Sequence, residues 1–296
     1  MTFGFARRTF IATFGATFGA CALALSAGAA ETKDDAVLKA AVADKARSPE
    51  NTARDMYRRP YEALTFWGLK PGMTVIELDP ASGYWTEILA PYAHASGGHY
   101  VAQMPDETGP KMSEQRKKSI TAFKGRFADE AKFGKVTWVD YQESGTRPLG
   151  PPASADMIIS ARNMHDYMWE KGQLEKVLKD MYTVLKPGGI LAVEDHRADP
   201  RPQVQDARDG YVNTAYMVAA VEKAGFKLEA SSEIYANPKD TKDYPLGVWA
   251  LPPTNATKRL GYMLDWPGLR PDAKLEPEKY KAIGESDRMT LRFRKP

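Results

Sequence analysis

Between residues 74 and 196 the chain repeats one pattern: a short apolar run, a turn carrying Gly, Pro or Asp, and a longer stretch with helical character. A strand that returns through a helix to pair with the next strand lies parallel to it, and parallel sheets are stable only with both faces covered. The pattern predicts strands over 74–78, 99–104, 135–141, 156–161 and 190–195. Helices are predicted from about Trp85, over 112–128 and over 170–185. An amphipathic helix over 214–226 and a strand over 227–235 follow, and Met289, Leu291 and Phe293 alternate in a closing strand over 288–295. An α/β chain with one large domain over 59–296 is the expectation. Residues 31–58 read as a charged helical lead-in outside the core. Residues 236–284 hold many prolines and little periodicity, the mark of a lid, a binding loop or an excursion.

Arg7 and Arg8 precede a stretch, Thr9 to Ala30, with no Asp, Glu, Lys or Arg, which ends in the small residues Ala27 to Ala30. Residues 1–30 therefore have the pattern of a signal peptide. ARRTFIA at 6–12 resembles a twin-arginine export motif, and Gly15 and Gly19 keep the following run only mildly apolar. The run falls short of the roughly 20 strongly apolar residues a membrane span needs, so no span is expected in the mature chain. Export to the periplasm is expected, and a lipid anchor at Cys21 in FGAC is the weaker alternative. Cleavage removes two arginines and the single cysteine, leaving 39 basic residues against 38 acidic ones. That balance gives no electrostatic case for nucleic acid, so a small-molecule substrate is the expected partner. Without cysteine, disulfides, thiolate ligands and cysteine nucleophiles are excluded.

In open parallel sheets ligands bind outside the carboxyl ends of the strands, and two polar clusters fall there. Arg162, Asn163, His165 and Asp166 follow the fourth strand, while Glu194, Asp195, His196 and Arg197 end the fifth. A histidine beside a carboxylate can take a proton from a hydroxyl near neutral pH, which makes His165, Asp195 and His196 the candidate catalytic residues. Capping and strand-end satisfaction are the structural alternative. Two histidines and a carboxylate also form the ligand set of non-haem iron and some zinc sites. No HxH or HxxxH pair is present, however, and no metal is assigned. Tyr84, Trp85, Tyr167 and Trp169 lie near these motifs as core or as pocket walls.

VIELDPASGYWTEIL at 75–89 resembles the first motif of class I S-adenosylmethionine-dependent methyltransferases, and LKPGGILAVED at 185–195 resembles their fifth-strand motif. Together with YRRPYEALTFWGLKPGMTVIEL, RNMHDY, EDHRA, EKAGFKL and DRMTLRFRKP, they resemble a family of often exported bacterial methyltransferase-like proteins. The resemblance implies a Rossmann-like class I methyltransferase fold, a mostly parallel seven-stranded sheet with an antiparallel last strand. It implies S-adenosylmethionine as cofactor, contacted by Glu77, Asp79, Ala81, Ser82, Gly83 and Tyr84 at the first turn, and by Gln103 and Asn163. Glu77 matches the first acidic position and Gly83 the last glycine, while Asp79 and Ala81 stand where glycines are usual. The acid expected to hold the ribose hydroxyls falls at Met104, next to Gln103. The implied activity is methyl transfer to a small or apolar acceptor. The alternatives are a non-catalytic or ligand-binding protein on this scaffold and a metal-dependent enzyme using the His165/His196 pair.

Overall fold

Apolar side chains on both faces of a strand place it in the interior of a sheet, and β1 (Thr74–Leu78) is such a strand, buried from Val75 to Leu78. It pairs in parallel with β2 (His99–Pro105) on one side and β4 (Ala155–Ala161) on the other. The computed structural model describes residues 35–109, 112–141, 145, 147–258 and 274–296. The signal-peptide reading lies outside them. With β3 (Thr137–Tyr141), β5 (Leu185–His196), β6 (Lys227–Ser232) and β7 (Arg288–Arg294), the sheet has the order β3-β2-β1-β4-β5-β7-β6. β7 runs antiparallel to both of its neighbours, and the remaining pairings are parallel. The chain works outward from β1 to β3 and then returns to lay β4 beside β1. That reversal opens a crevice at the carboxyl ends of β1 and β4.

Alternation along the strands gives the sheet one core on each face, and a third apolar cluster that includes Tyr211, Leu246 and Leu251 is separate from both. Val75, Ala102, Met157, Ile159 and Ala192 face one side, packed by Ile88 and Leu89 of α5 (Thr86–Ser96) and by Leu64 and Trp67 of α4 (Pro60–Trp67). Ile76, Leu78, Ile158, Leu191 and Val193 face the other. There they meet Val177, Leu178 and Met181 of α8 (Gln173–Val184) and Met217 of α9 (Thr214–Lys223). Each fully buried Leu, Ile or Val stabilises by about 1.5–3 kcal/mol, so the double-faced burial is the main force holding the sheet between its helices. The charged helix expected over 112–128 is α6 (Glu114–Arg126), and the short α7 (Glu130–Phe133) follows it.

Two segments differ from the sequence reading. The lead-in packs into the first core through α1 (Ala36–Val42), whose Leu38 and Ala41 are buried, and Asp35–Pro296 forms one unit. Asp35 caps α1 by accepting the Leu38 N–H at 2.9 Å and also accepts the Tyr92 hydroxyl of α5 at 2.7 Å. The short helices α2 (Pro49–Thr52) and α3 (Asp55–Arg58) then carry the chain across the carboxyl edge of the sheet. An alanine-rich stripe has too little apolar surface to announce its partner, which is why the lead-in reads as peripheral. The segment over 236–284 holds a short 3-10 turn, Gly247–Ala250, and α10 (Pro277–Ile283), with 259–273 outside the described residues. Gly247 has φ +60°, and a Cβ there would lie 2.5 Å from the Asp209 carbonyl oxygen. Glycine thus lets Val248 and Trp249 settle over the crevice. Among the described residues no helix is long and apolar enough to cross a membrane.

Candidate active site at the carboxyl edge of the sheet

The turn after β1 keeps an unusual backbone. Asp79, Ala81 and Gly83 have φ of +37°, +50° and +86°. All three positions of the glycine pattern therefore occupy the left-handed region, although two carry side chains. That conformation costs a non-glycine residue roughly 1–2 kcal/mol and persists only where the surroundings hold it. Gly83 is required for a second reason, since a Cβ would meet Phe123 at 3.0 Å and Phe127 at 3.1 Å.

The side chains around this turn are committed elsewhere. Glu77 is buried, and its Oε2 accepts from Thr86 Oγ1 at 3.0 Å and from the Tyr100 hydroxyl. Burial pushes its carboxyl up to about 7 against those two hydrogen bonds. Burial likewise raises Asp79, with Arg116 opposing. Tyr84 donates to Asp55 Oδ1 at 2.6 Å, with the Arg58 guanidinium 4.4 Å from its ring centre. The Ser82 carbonyl accepts from Arg126 at 2.9 Å. Gln103, and not Met104, is the β2 residue that reaches the turn: its Oε1 accepts the Asp79 N–H at 3.0 Å and its Nε2 donates to the Met104 carbonyl at 2.9 Å. Met104 is buried in the first core. Asn163 Nδ2 donates to the Leu78 carbonyl at 3.3 Å, tying the loop after β4 to the end of β1, and its buried Oδ1 has no partner among the described residues.

The other half of the edge concentrates polar side chains. β4 and β5 run in register with Ala161 opposite Glu194, so the residues that follow each strand meet. Asp195 is fully buried. Its Oδ1 accepts from His165 Nδ1 at 2.7 Å and from the His196 N–H at 2.8 Å, and its Oδ2 accepts the His165 N–H at 2.8 Å. This grip fixes the His165 ring and places a proton on Nδ1, leaving Nε2 toward the crevice, 3.3 Å from Asp166 Oδ1. Burial alone would lower the imidazole, but Asp195 and Asp166 outweigh it and push His165 up to about 9. Burial raises Asp166 to about 6. His196, whose ring centre is 5.2 Å from that of His165, hydrogen-bonds through Nδ1 with Ser286 Oγ at 2.5 Å. Burial and then the positive charges of His165 and Arg162 hold it well below the ordinary imidazole range. At neutral pH the pair is one imidazolium and one neutral ring.

A cavity of about 690 Å³ opens onto these groups, lined by Arg54, Arg116, Arg162 and His165 and walled by Trp169 and Trp249. Its size falls within the range of small-molecule sites. A smaller cavity of about 270 Å³ joins Asp79, Asn163 and Asp166, while the space directly beneath the turn is a recess of about 20 Å³. The sequence reading missed Arg54, Arg58, Trp249 and Ser286. Arg58 stands in the quoted YRRPYE stretch, but nothing in periodicity points an exposed-looking arginine inward. Trp249 comes from the short 3-10 turn Gly247–Ala250, and Ser286 from the link between α10 and β7.

His165, Asp195 and His196 offer ligand atoms all within 4.8 Å of one another. Their chemistry does not suit a cation. Both Asp195 oxygens already accept hydrogen bonds, and the positive charge of Arg162 acts on both rings. The carboxylate serves as an orienting group.

No family model matches the chain, and no curated protein resembles it in sequence. Among solved structures it is similar to the [4+2]-cyclase SpnF, 15% identical over 86% of this chain and 84% of that one, with a TM-score of 0.50. It is also similar to an S-adenosylmethionine-dependent methyltransferase from Aquifex aeolicus, 20% identical over 61% of this chain and 86% of that one, TM-score 0.46. A third is the S-adenosylmethionine-dependent methyltransferase from Mesorhizobium loti, 14% identical over 79% and 96%, TM-score 0.46. At such identities the likeness is one of fold. Together with the strand order, it makes this a Rossmann-like class I methyltransferase fold, with a seven-stranded sheet and an antiparallel last strand.

Proposed function

We propose that the protein is an S-adenosylmethionine-dependent methyltransferase whose acceptor occupies the cavity beside His165. The observation that carries this reading is the turn itself: Asp79 and Ala81 hold the left-handed backbone of a glycine loop at an energetic cost, beside a buried His165–Asp195 pair. The backbone of 79–83, with Gln103 and Asn163, would hold the cofactor, which supplies an electrophilic methyl group when bound. Below pH about 9 His165 already carries its Nε2 proton. At neutral pH it would therefore not take the proton of a hydroxyl acceptor, as the sequence suggested, but would orient an acceptor that is already anionic; it becomes a base only above pH about 9. The remaining contribution is positioning of the acceptor. The Arg7–Arg8 leader supports export to the periplasm, a reading that cell fractionation with an activity-independent tag checks directly.

A second reading is a protein of other chemistry on the same scaffold. It is favoured by the small recess beneath the turn and by the carboxamide of Gln103, engaged at both ends. A [4+2]-cyclase has this fold as well, so fold alone does not choose. Calorimetric titration of the purified protein with S-adenosylmethionine and S-adenosylhomocysteine decides between them. Micromolar binding is expected for the first reading, and no binding below millimolar concentrations would abolish it.

A further inference from the structure

Positive charge is in excess at the carboxyl edge. Glu285 takes Arg54 at 2.8 Å, Arg58 at 3.2 Å and also Arg288, which lies 3.0 Å from Glu194 as well. Arg162, in the left-handed conformation at φ +64° just after β4, adds a fourth guanidinium with no ion pair among the described residues. Four arginines thus share two carboxylates, and protonated His165 stands on the same wall. Three buried donors, Arg54 Nη2, Arg58 Nη2 and Arg162 Nε, have no partner among the described residues, and the Arg58 side chain is 1% exposed. Buried guanidinium donors without acceptors are costly, and a charged excess of this kind is relieved by an anion. Arg54 and Arg162 line the large cavity, and Arg58 and Arg162 line the recess beside it. Burial and then Arg58 draw Arg162 down to about 9, the response of a cation short of counter-charge. The acids facing the cavity are Glu50, which is exposed, and Asp166, which neighbours His165. Trp169, Val248, Trp249, Pro252 and Pro253 form an apolar part of the wall, and Asn51, Ser82, His196 and Thr254 add neutral polar groups to the rest of it.

We infer that this cavity binds a small organic acid, with its anionic head on Arg162 and the neighbouring Arg54 and Arg58 and its apolar body against Trp169 and Trp249. The inference deepens the methyltransferase reading, on which it rests for the role of acceptor. The acceptor enters as an anion with an apolar body, where the sequence alone implied a small or apolar molecule. Guanidinium suits this task because its fork of donors matches a carboxylate in geometry as well as charge.

The test uses the purified protein, with benzoate and its neutral analogue benzamide as probes, followed by calorimetry and tryptophan fluorescence. Benzoate is expected to bind at least tenfold more tightly than benzamide, and the preference should shrink with added salt. Arg162→Gln should remove the preference, and Arg116→Gln, at an exposed position on the rim, should weaken benzoate a few-fold without affecting folding. Equal binding of the two probes, or benzoate binding unchanged in both variants, would overturn the inference. Parallel titration with S-adenosylhomocysteine separates the two readings. Benzoate binding without S-adenosylhomocysteine binding ends the methyltransferase reading and supports this one, and S-adenosylhomocysteine binding without benzoate binding does the reverse. Mutual competition between them would assign the arginines to the cofactor's own carboxylate and overturn the substrate assignment.

Discussion

The two halves of the sheet's carboxyl edge have been built by different means. On the β1 and β2 side the backbone carries the shape: three left-handed residues in a row of five, with Glu77, Tyr84 and Gln103 turned to internal partners. On the β4 and β5 side the side chains carry it, through Asp195 clamping His165 and a cluster of arginines around Glu285. A backbone shape can outlast the residues that usually produce it, because tertiary contacts hold φ and ψ. A hydrogen-bonded side-chain network has no such tolerance, since each buried group depends on its particular partner. The comparison therefore expects chemistry to be sensitive to mutation on the second side and tolerant on the first.

The largest expected effect tests that asymmetry. Asp195→Ala removes the acceptor, itself fully buried, of the His165 ring proton and two backbone N–H groups, at a cost of roughly 3–5 kcal/mol. Asp79→Ala, at a part-buried position where the wild-type residue already bears the left-handed strain, loses only the bond from the Ala81 N–H and the better tolerance of Asp for this conformation, and should cost about 1 kcal/mol. Urea unfolding of both variants measures the gap. Similar losses for the two would break the comparison.

The two halves should also titrate in different windows. His165 has a folded pKa raised from 6.5 to about 9, so its stabilising contribution is fully present below pH 6.5 and is lost as pH rises through 9. Glu77 is an acid raised from 4.5 to about 7, so its contribution is present below pH 4.5 and lost as pH rises through 7. His196, depressed by burial, has the opposite sign, gaining stability as pH rises toward 6.5. Difference curves isolate each group. Stability of the wild type minus that of His165→Gln should fall between pH 6.5 and 9, and wild type minus Glu77→Gln should fall between pH 4.5 and 7. A His165 difference that stays flat across its window would remove the case for an imidazolium at neutral pH.

What could be read from the sequence follows the same division. Strand and helix order was legible because burial on both faces leaves a run of apolar residues: the strand predicted over 74–78 is Thr74–Leu78, and that over 156–161 is Ala155–Ala161. The meeting of His165 with Asp195 was legible because adjacent parallel strands bring their carboxyl ends together. The arginines were not. Arg54 lies in the turn between α2 and α3 and Arg58 at the end of α3, and only tertiary packing carries them over the crevice. Trp249 arrives on a short 3-10 turn whose first residue, Gly247, makes a close approach that no periodicity encodes. The turn was legible as a motif, but the left-handed backbone of Asp79 and Ala81 was not, because neither residue type signals a positive φ as Gly83 does.

The smallest expected effect comes from restoring what that turn lacks. Ala81 is exposed at φ +50°, so its methyl group contributes no burial and only strain. Ala81→Gly relieves about 1 kcal/mol of left-handed strain, and the greater freedom of glycine in the unfolded chain returns roughly half of it. A net gain of about 0.5 kcal/mol, near the limit of urea unfolding, is the expectation. The same variant frees the backbone to be approached closely, so S-adenosylhomocysteine should bind at least as tightly as in the wild type. Stability that rises while binding falls would mean that the Ala81 methyl contacts the ligand, and the turn would then act through its side chains as the other half does.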